Sequence, residues 1–153
     1  MPAFDLAAEL ETLAKAFAAR GIDYALCGGL ALAVHGHPRA TKDIDVLVRG
    51  ESVDAARRVA HALGFDIEAM PMTFASGIEV RRVSKVESDR LLSIDLIVVE
   101  PMLEGPWSSK QSVTWRGGPL AVVSRAGLVE MKRLAGRPQD LADLFQLGEA
   151  DGT

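Results

Sequence analysis

The segment Asp43-Ile44-Asp45-Val46-Leu47-Val48 alternates acidic and apolar residues before turning wholly apolar. This is the pattern of a strand with one packed face and one face that is wet or functional. Side chains two apart on a strand share a face, which places the Cα atoms of Asp43 and Asp45 roughly 6 to 7 Å from each other. Two anions held that close repel, and the arrangement calls for a hard divalent cation with oxygen ligands, Mg²⁺ or Mn²⁺. Asp95 lies between Ile94 and Leu96 in the most apolar stretch of the chain. An ionised acid is costly in such a place unless it is partnered, so Asp95 is expected to be a third carboxylate on a neighbouring strand. Taken alone, Asp-x-Asp is more often a solvated strand edge. Its weight here comes from Gly28-Gly29 upstream, between an expected strand at Tyr24–Cys27 and an expected helix at Leu30–Val34. That layout offers backbone N–H groups and a helix N-terminus to a triphosphate.

The elements that must position these residues can be read from periodicity. Leu6, Leu10, Leu13 and Phe17 recur at helical spacing from Phe4 to Arg20, and Gly21 ends the pattern. Val53, Ala56, Val59, Ala60 and Leu63 form the apolar stripe of a second amphipathic helix closed by Gly64. Residues 65–70, 78–83 and 91–99 read as further strands, the chain after Pro101 through Gly105-Pro106 as irregular, and 113–123 as a hairpin around Gly117-Gly118 and Pro119. Two helices finish the chain, one capped by Ser124 and one starting near Pro138. The expected architecture is α+β, a mixed sheet flanked by helices with a C-terminal helical pair, as one domain over 1–148 with a frayed tail at 149–153.

At 153 residues and 48% apolar content the chain has room for one domain with a real core. Asp and Glu number 21 against 17 Lys and Arg, a formal charge of −4, which argues against a protein that coats nucleic-acid phosphates. The single Cys27 reads as a small buried hydrophobe. His35 and His37 lack the further ligand that a metal site would need, and Trp107 and Trp115 read as packing residues. With Asp5, Glu9, Glu11 and Lys15 in its opening helix, the chain shows neither a signal peptide nor a membrane span, and the expected location is the cytoplasm.

Cys27-Gly28-Gly29-Leu30-Ala31-Leu32-Ala33-Val34-His35-Gly36 followed by Arg39-Ala40-Thr41-Lys42-Asp43-Ile44-Asp45-Val46 resembles the signature of the polymerase-β-like nucleotidyltransferase superfamily. The Gly-Gly form with Arg-x-Thr-x-Asp-x-Asp is most similar to the abortive-infection (AbiEii-like) toxin type, and more loosely to small antibiotic nucleotidyltransferases. The segment 128–144 also resembles the helical part of the toxin type, whereas 71–90 matches nothing. The resemblance implies a two-metal transfer of a nucleotidyl group from an NTP, with pyrophosphate leaving. Asp43 and Asp45 would bridge both ions, and Asp95 would bind the catalytic ion and take the acceptor's proton. Gly28 and Gly29 would receive the β- and γ-phosphates. Many relatives carry Ser where Gly29 stands, so that hydroxyl contact must come from the backbone or another side chain, such as Thr41. Cations should line the same cleft, Lys132 first and then Arg39 and Arg137, with Asp140 and Asp143 as their pairing partners. The implied partners are an NTP, an acceptor that is an RNA end, a protein hydroxyl or a small molecule, and a cognate antitoxin or toxin protein. The rival reading is a nucleotide-binding or toxin–antitoxin interaction module without turnover.

Overall fold

A computed structural model describes residues 5–149. Helix α1 (Leu6–Ala19) starts at Asp5, whose Oδ1 accepts the Ala8 N–H at 3.1 Å, and it buries Leu10, Leu13, Ala14 and Phe17. A side-chain acceptor at that position satisfies one of the donors that a helix start leaves orphaned. Strand β1 (Ala25–Cys27) runs directly into α2 (Gly28–Val34), and β2 (Asp43–Val48) follows. Then come α3 (Val53–Ala62), the two-residue strands β3 (Ile67–Glu68) and β4 (Met72–Thr73), and the long hairpin of β5 (Glu79–Glu87) and β6 (Arg90–Val98). A short helix α4 (Glu104–Ser108), the hairpin β7 (Gln111–Trp115) and β8 (Gly118–Val122), and helices α5 (Arg125–Ala135) and α6 (Pro138–Gln146) complete the order.

The strands form one mixed sheet in the order β3-β5-β6-β2-β1-β8-β7, with β4 added on β5. β2 and β6 are parallel neighbours, as are β1 and β8, and the other pairs are antiparallel. Helices α1 and α3 pack on each other and against the sheet, where the apolar parity of the central strands (Ile44, Val46, Val48; Ile94, Leu96, Val98) is buried. The opposite parity carries the acids. The mixed sheet flanked by helices and the C-terminal helical pair match the architecture expected from the pattern.

Three local expectations are corrected. Helix α2 begins at Gly28 and not at Leu30, with Cys27 as its cap residue, so the two glycines are its first turn. The strand expected at 65–70 shrinks to two residues because Phe65 turns into the core, 1% exposed. The chain after Pro101, expected to be irregular, forms α4: Trp107 is buried there with Arg49 and Lys110 over its ring at 5.4 and 3.7 Å, and Arg49 pairs with Glu104. At the start of the tail expected over 149–153, Glu149 accepts from Arg133 at 2.9 Å and its N–H bonds the Leu144 carbonyl. The rest of that tail lies outside the described residues.

Candidate active site

Strand register assembles the site. On β2 and β6 Asp45 lies directly opposite Asp95, on β1 and β2 Cys27 lies opposite Asp45, and on β5 and β6 Arg82 lies opposite Asp95. Directly paired residues point to one face, so Arg82, Asp95, Asp45 and Cys27 form a row across four adjacent strands. Asp43 joins that face two residues from Asp45. The structure therefore brings the three acids together.

Arg82 was not foreseen. Its Nε donates to Asp95 Oδ1 at 2.7 Å and its Nη2 to Oδ2 at 2.9 Å, while Nη2 also lies 3.5 Å from Asp43 Oδ2. The only signal for it in the sequence is strand parity, which puts Arg82 and Ser84 on one face and Arg81 and Val83 on the other. Beside the row, the buried Ser84 and Ser93 hydroxyls bond each other at 2.8 Å. Burial, followed by the neighbouring Asp95 and Asp43 carboxylates, pushes the Asp45 carboxyl up to about 7, with Lys132 opposing. Burial also raises Asp43, against the pull of Arg82. Cys27 is 1% exposed, and burial pushes its thiol up, as suits an inert core residue.

The glycine pair is forced by crowding. Gly28 has φ +70°, and a Cβ there would stand 2.1 Å from Asp45 Oδ2. At Gly29 a Cβ would meet the Thr41 Cβ and Oγ1, each at 2.9 Å, with Arg39 Nη1 at 3.2 Å. The space a side chain at position 29 would take is thus filled by Thr41. Gly28→Ala is expected to lower stability by about 2 kcal/mol through the left-handed backbone and to slow transfer roughly a hundredfold by displacing Asp45. Urea titration and initial rates check both.

The expected cations divide differently from the order given by the sequence. Lys132 lies in the cavity wall but is only 5% exposed, with its ammonium 2.8 Å from Asp143 and 3.5 Å from Asp140. Arg39 grips Asp143 through Nε at 2.7 Å and Nη2 at 3.0 Å, and Arg137 grips Asp140 through Nε at 2.7 Å. Asp140 and Asp143 are each 1% exposed and do pair with these bases. Burial raises the Asp143 carboxyl, but the bonds from Arg39 and Lys132 outweigh it and hold the group below its ordinary range. Lys132 is therefore committed to joining α5 to α6, while Arg39 and Arg137, though paired, stand more exposed at the rim. His35 bonds the Val123 carbonyl at 2.8 Å, and both tryptophans pack against the core cluster, in line with their structural readings.

The three acids, Arg82, Lys132 and Arg137 line one cavity of about 870 Å³. One side holds Gly28, Gly29, Arg39 and Thr41; the other is the apolar wall of Met72, Phe74, Ile78, Val80 and Ile97. Residues 71–80, which matched no motif, thus form a wall of the site.

A glycine-started helix facing a register-locked trio of aspartates, on a mixed sheet of this order, is the arrangement of a nucleotidyltransferase. The chain belongs to the family described as uncharacterised nucleotidyltransferases, whose model matches residues 3–129. No curated protein matches the sequence. A candidate nucleotidyltransferase from Thermotoga maritima superposes with a TM-score of 0.67 at 14% identity, over 92% of this chain and 90% of that one. ANT(2'')-Ia, in complex with adenylyl-2''-tobramycin, gives 0.63 at 16%, over 96% and 89%. JHP933 from Helicobacter pylori gives 0.57 at 17%, over 94% and 66%. At these identities the likeness is one of fold. The abortive-infection subtype finds no separate support in these comparisons. Among the described residues no helix is long and apolar enough to cross a membrane.

Proposed function

We propose that this chain transfers a nucleotidyl group from a nucleoside triphosphate to a hydroxyl on a small acceptor, with release of pyrophosphate, in the cleft between the β4–β5 segment and α5–α6. The observation that supports it is the pairing of Asp45 with Asp95 beside Asp43 and the Gly28–Gly29 turn. Three carboxylates on one face are a hard oxygen donor set, which fits magnesium or manganese. As the side chains stand, however, no three such groups among the described residues converge on a point that would hold an ion. Asp43, Asp45 and Asp95 would hold two ions, and these would offset the negative charge of the triphosphate and of the leaving pyrophosphate.

The chain's own groups account for the remaining roles. The first-turn N–H groups at Gly28 and Gly29, with Arg39 and Thr41, take the outer phosphates. Arg137 closes the rim. Asp95 accepts the proton of the acceptor hydroxyl as its oxygen bonds to the α-phosphorus and the bond from that phosphorus to the β-phosphate oxygen breaks. In-line displacement puts the attacking and leaving oxygens on opposite sides of the phosphorus. With the outer phosphates at Gly28–Gly29, the acceptor therefore comes from the β5–β6 side, against Met72, Phe74, Ile78, Val80 and Ile97. Among the described residues, that wall carries no carboxylate beyond the acid row and no cation beyond Arg82. It favours an uncharged acceptor over an RNA end or a polyamine sugar.

Incubation with each α-labelled NTP, Mg²⁺, a cell extract and a set of small alcohols, with tobramycin and a short RNA alongside, tests the reading. Label from the α-phosphate should enter a small neutral acceptor, and none should enter with γ-labelled NTP. Transfer from the γ position, or no transfer with any NTP, would sink it. The motif Gly28-Gly29 with Arg39-x-Thr41-x-Asp43-x-Asp45 also supports a second reading, a toxin–antitoxin component. Label on RNA or protein and neutralisation by a partner protein would favour that reading; NTP binding without any transfer would favour an interaction module.

A further inference from the structure

Among the described residues, Arg82 is the one basic side chain of the cavity that bonds the acid row itself. Its guanidinium meets Asp95 with two parallel bonds of 2.7 and 2.9 Å and stands 3.5 Å from Asp43, so one cation bridges two of the three acids. A two-toothed arginine grip fixes a carboxylate in plane as well as neutralising it. Both Asp95 oxygens are occupied by it. The trio has the composition of an oxygen-donor cage, yet among the described residues no three such groups converge on a point that would hold an ion. The guanidinium charge is strengthened in turn, chiefly by its bond to Asp95 and then by the Asp95 and Asp43 charges, and it has no means of losing its proton in this setting. Arg82 is nevertheless not locked in place. Its side chain is 35% exposed at the cleft, so the guanidinium itself can swing to water, while the buried Asp95 then needs another counter-charge.

Resting on the nucleotidyltransferase reading, we propose that Arg82 is a resident counter-cation that holds Asp95 and Asp43 in a closed arrangement and must give them up before a divalent ion is bound. Arg82 is thus a positioning residue: it acts through Asp95 and sets the affinity for metal. It also keeps three crowded acids from repelling one another while the site waits for substrate. The two effects have opposite signs on removal, which separates this role from a merely structural one. A structural arginine, once removed, weakens the fold and the site together. A counter-cation, once removed, weakens the metal-free fold and strengthens the grip on metal.

The test measures Mn²⁺ binding by the electron paramagnetic resonance of the free ion, together with urea stability in chelator, for the wild-type protein and Arg82→Gln. Arg82→Gln should bind Mn²⁺ about tenfold more tightly or better, since a unit positive charge a few ångströms from the ligands has gone. It should also unfold at lower urea when metal-free. Equal or weaker Mn²⁺ binding by Arg82→Gln overturns the inference and leaves the metal reading standing. Absence of Mn²⁺ binding by both proteins overturns the metal reading and the inference with it. Should Arg82→Gln fail to fold, Arg82→Lys replaces it, keeping the charge but losing the two-toothed grip. A severalfold gain in Mn²⁺ affinity is then expected, and an unchanged Kd overturns the proposal.

Discussion

Asp45→Asn is expected to lower nucleotidyl transfer about a thousandfold or more while making the metal-free protein more stable at pH 8. The two effects have one cause. Burial and the Asp95 and Asp43 charges raise the Asp45 carboxyl to about 7, against about 4 in an unfolded chain. Between those values the folded protein holds a proton that the unfolded chain has lost, so stability falls as pH rises through the window and the loss is complete above 7. In chelator, the wild-type protein should lose roughly 2 to 4 kcal/mol between pH 4.5 and pH 8. Asn cannot ionise, so the variant's urea midpoints should vary much less with pH. Asp95→Ala should abolish transfer too, but with the opposite effect on stability. It strips Arg82 of both short bonds and leaves only the 3.5 Å approach to Asp43. Undiminished transfer by Asp45→Asn would remove Asp45 from the site, and a pH-independent wild-type stability would contradict the crowding of the acids.

The acids were legible because their signals are local. Asp43 and Asp45 follow strand period, and Asp95 declares itself as an acid inside an apolar run. What the sequence does not carry is the register that makes them one site. The chain passes through α3, β3, β4 and β5 between β2 and β6, and only the parallel pairing of those two strands sets Asp45 opposite Asp95. Arg82 was illegible for the same reason. Arg81 and Arg82 are equivalent as neighbours in sequence, and pairing with β6 decides which of them meets Asp95. Helix α4 was hidden because Gly105 and Pro106 are breakers by local rules; burial of Leu103 and Trp107 overrides them. Lys132 could have been read better. It lies four residues after Leu128 on the buried stripe of α5, where a lysine needs an internal partner.

That position makes Lys132→Met the most destabilising single change we expect outside the apolar core, at about 3 to 5 kcal/mol. Lys132 serves two carboxylates that are each 1% exposed. Asp143 keeps Arg39 and Gln139, the latter at 3.0 Å, and Asp140 keeps Arg137. Without the ammonium, however, two buried anions one turn apart on α6 are left against α5 with one fewer positive charge beside them. The damage should be local in origin: hydrogen exchange should rise first in α5 and α6, and the NTP KM should worsen as Arg39 and Arg137 lose their shared anchor. A lysine that touched only the nucleotide would behave differently, since its loss would raise KM and leave the melt unchanged. The double variant Lys132→Met/Asp143→Asn separates these cases, because it removes the orphaned charge together with its partner. It should recover about half or more of the lost stability, as neutralising both members of a buried pair is far milder than breaking it. A Lys132→Met protein that melts like the wild type but binds NTP poorly would return Lys132 to the nucleotide contact that its place in the sequence first suggested.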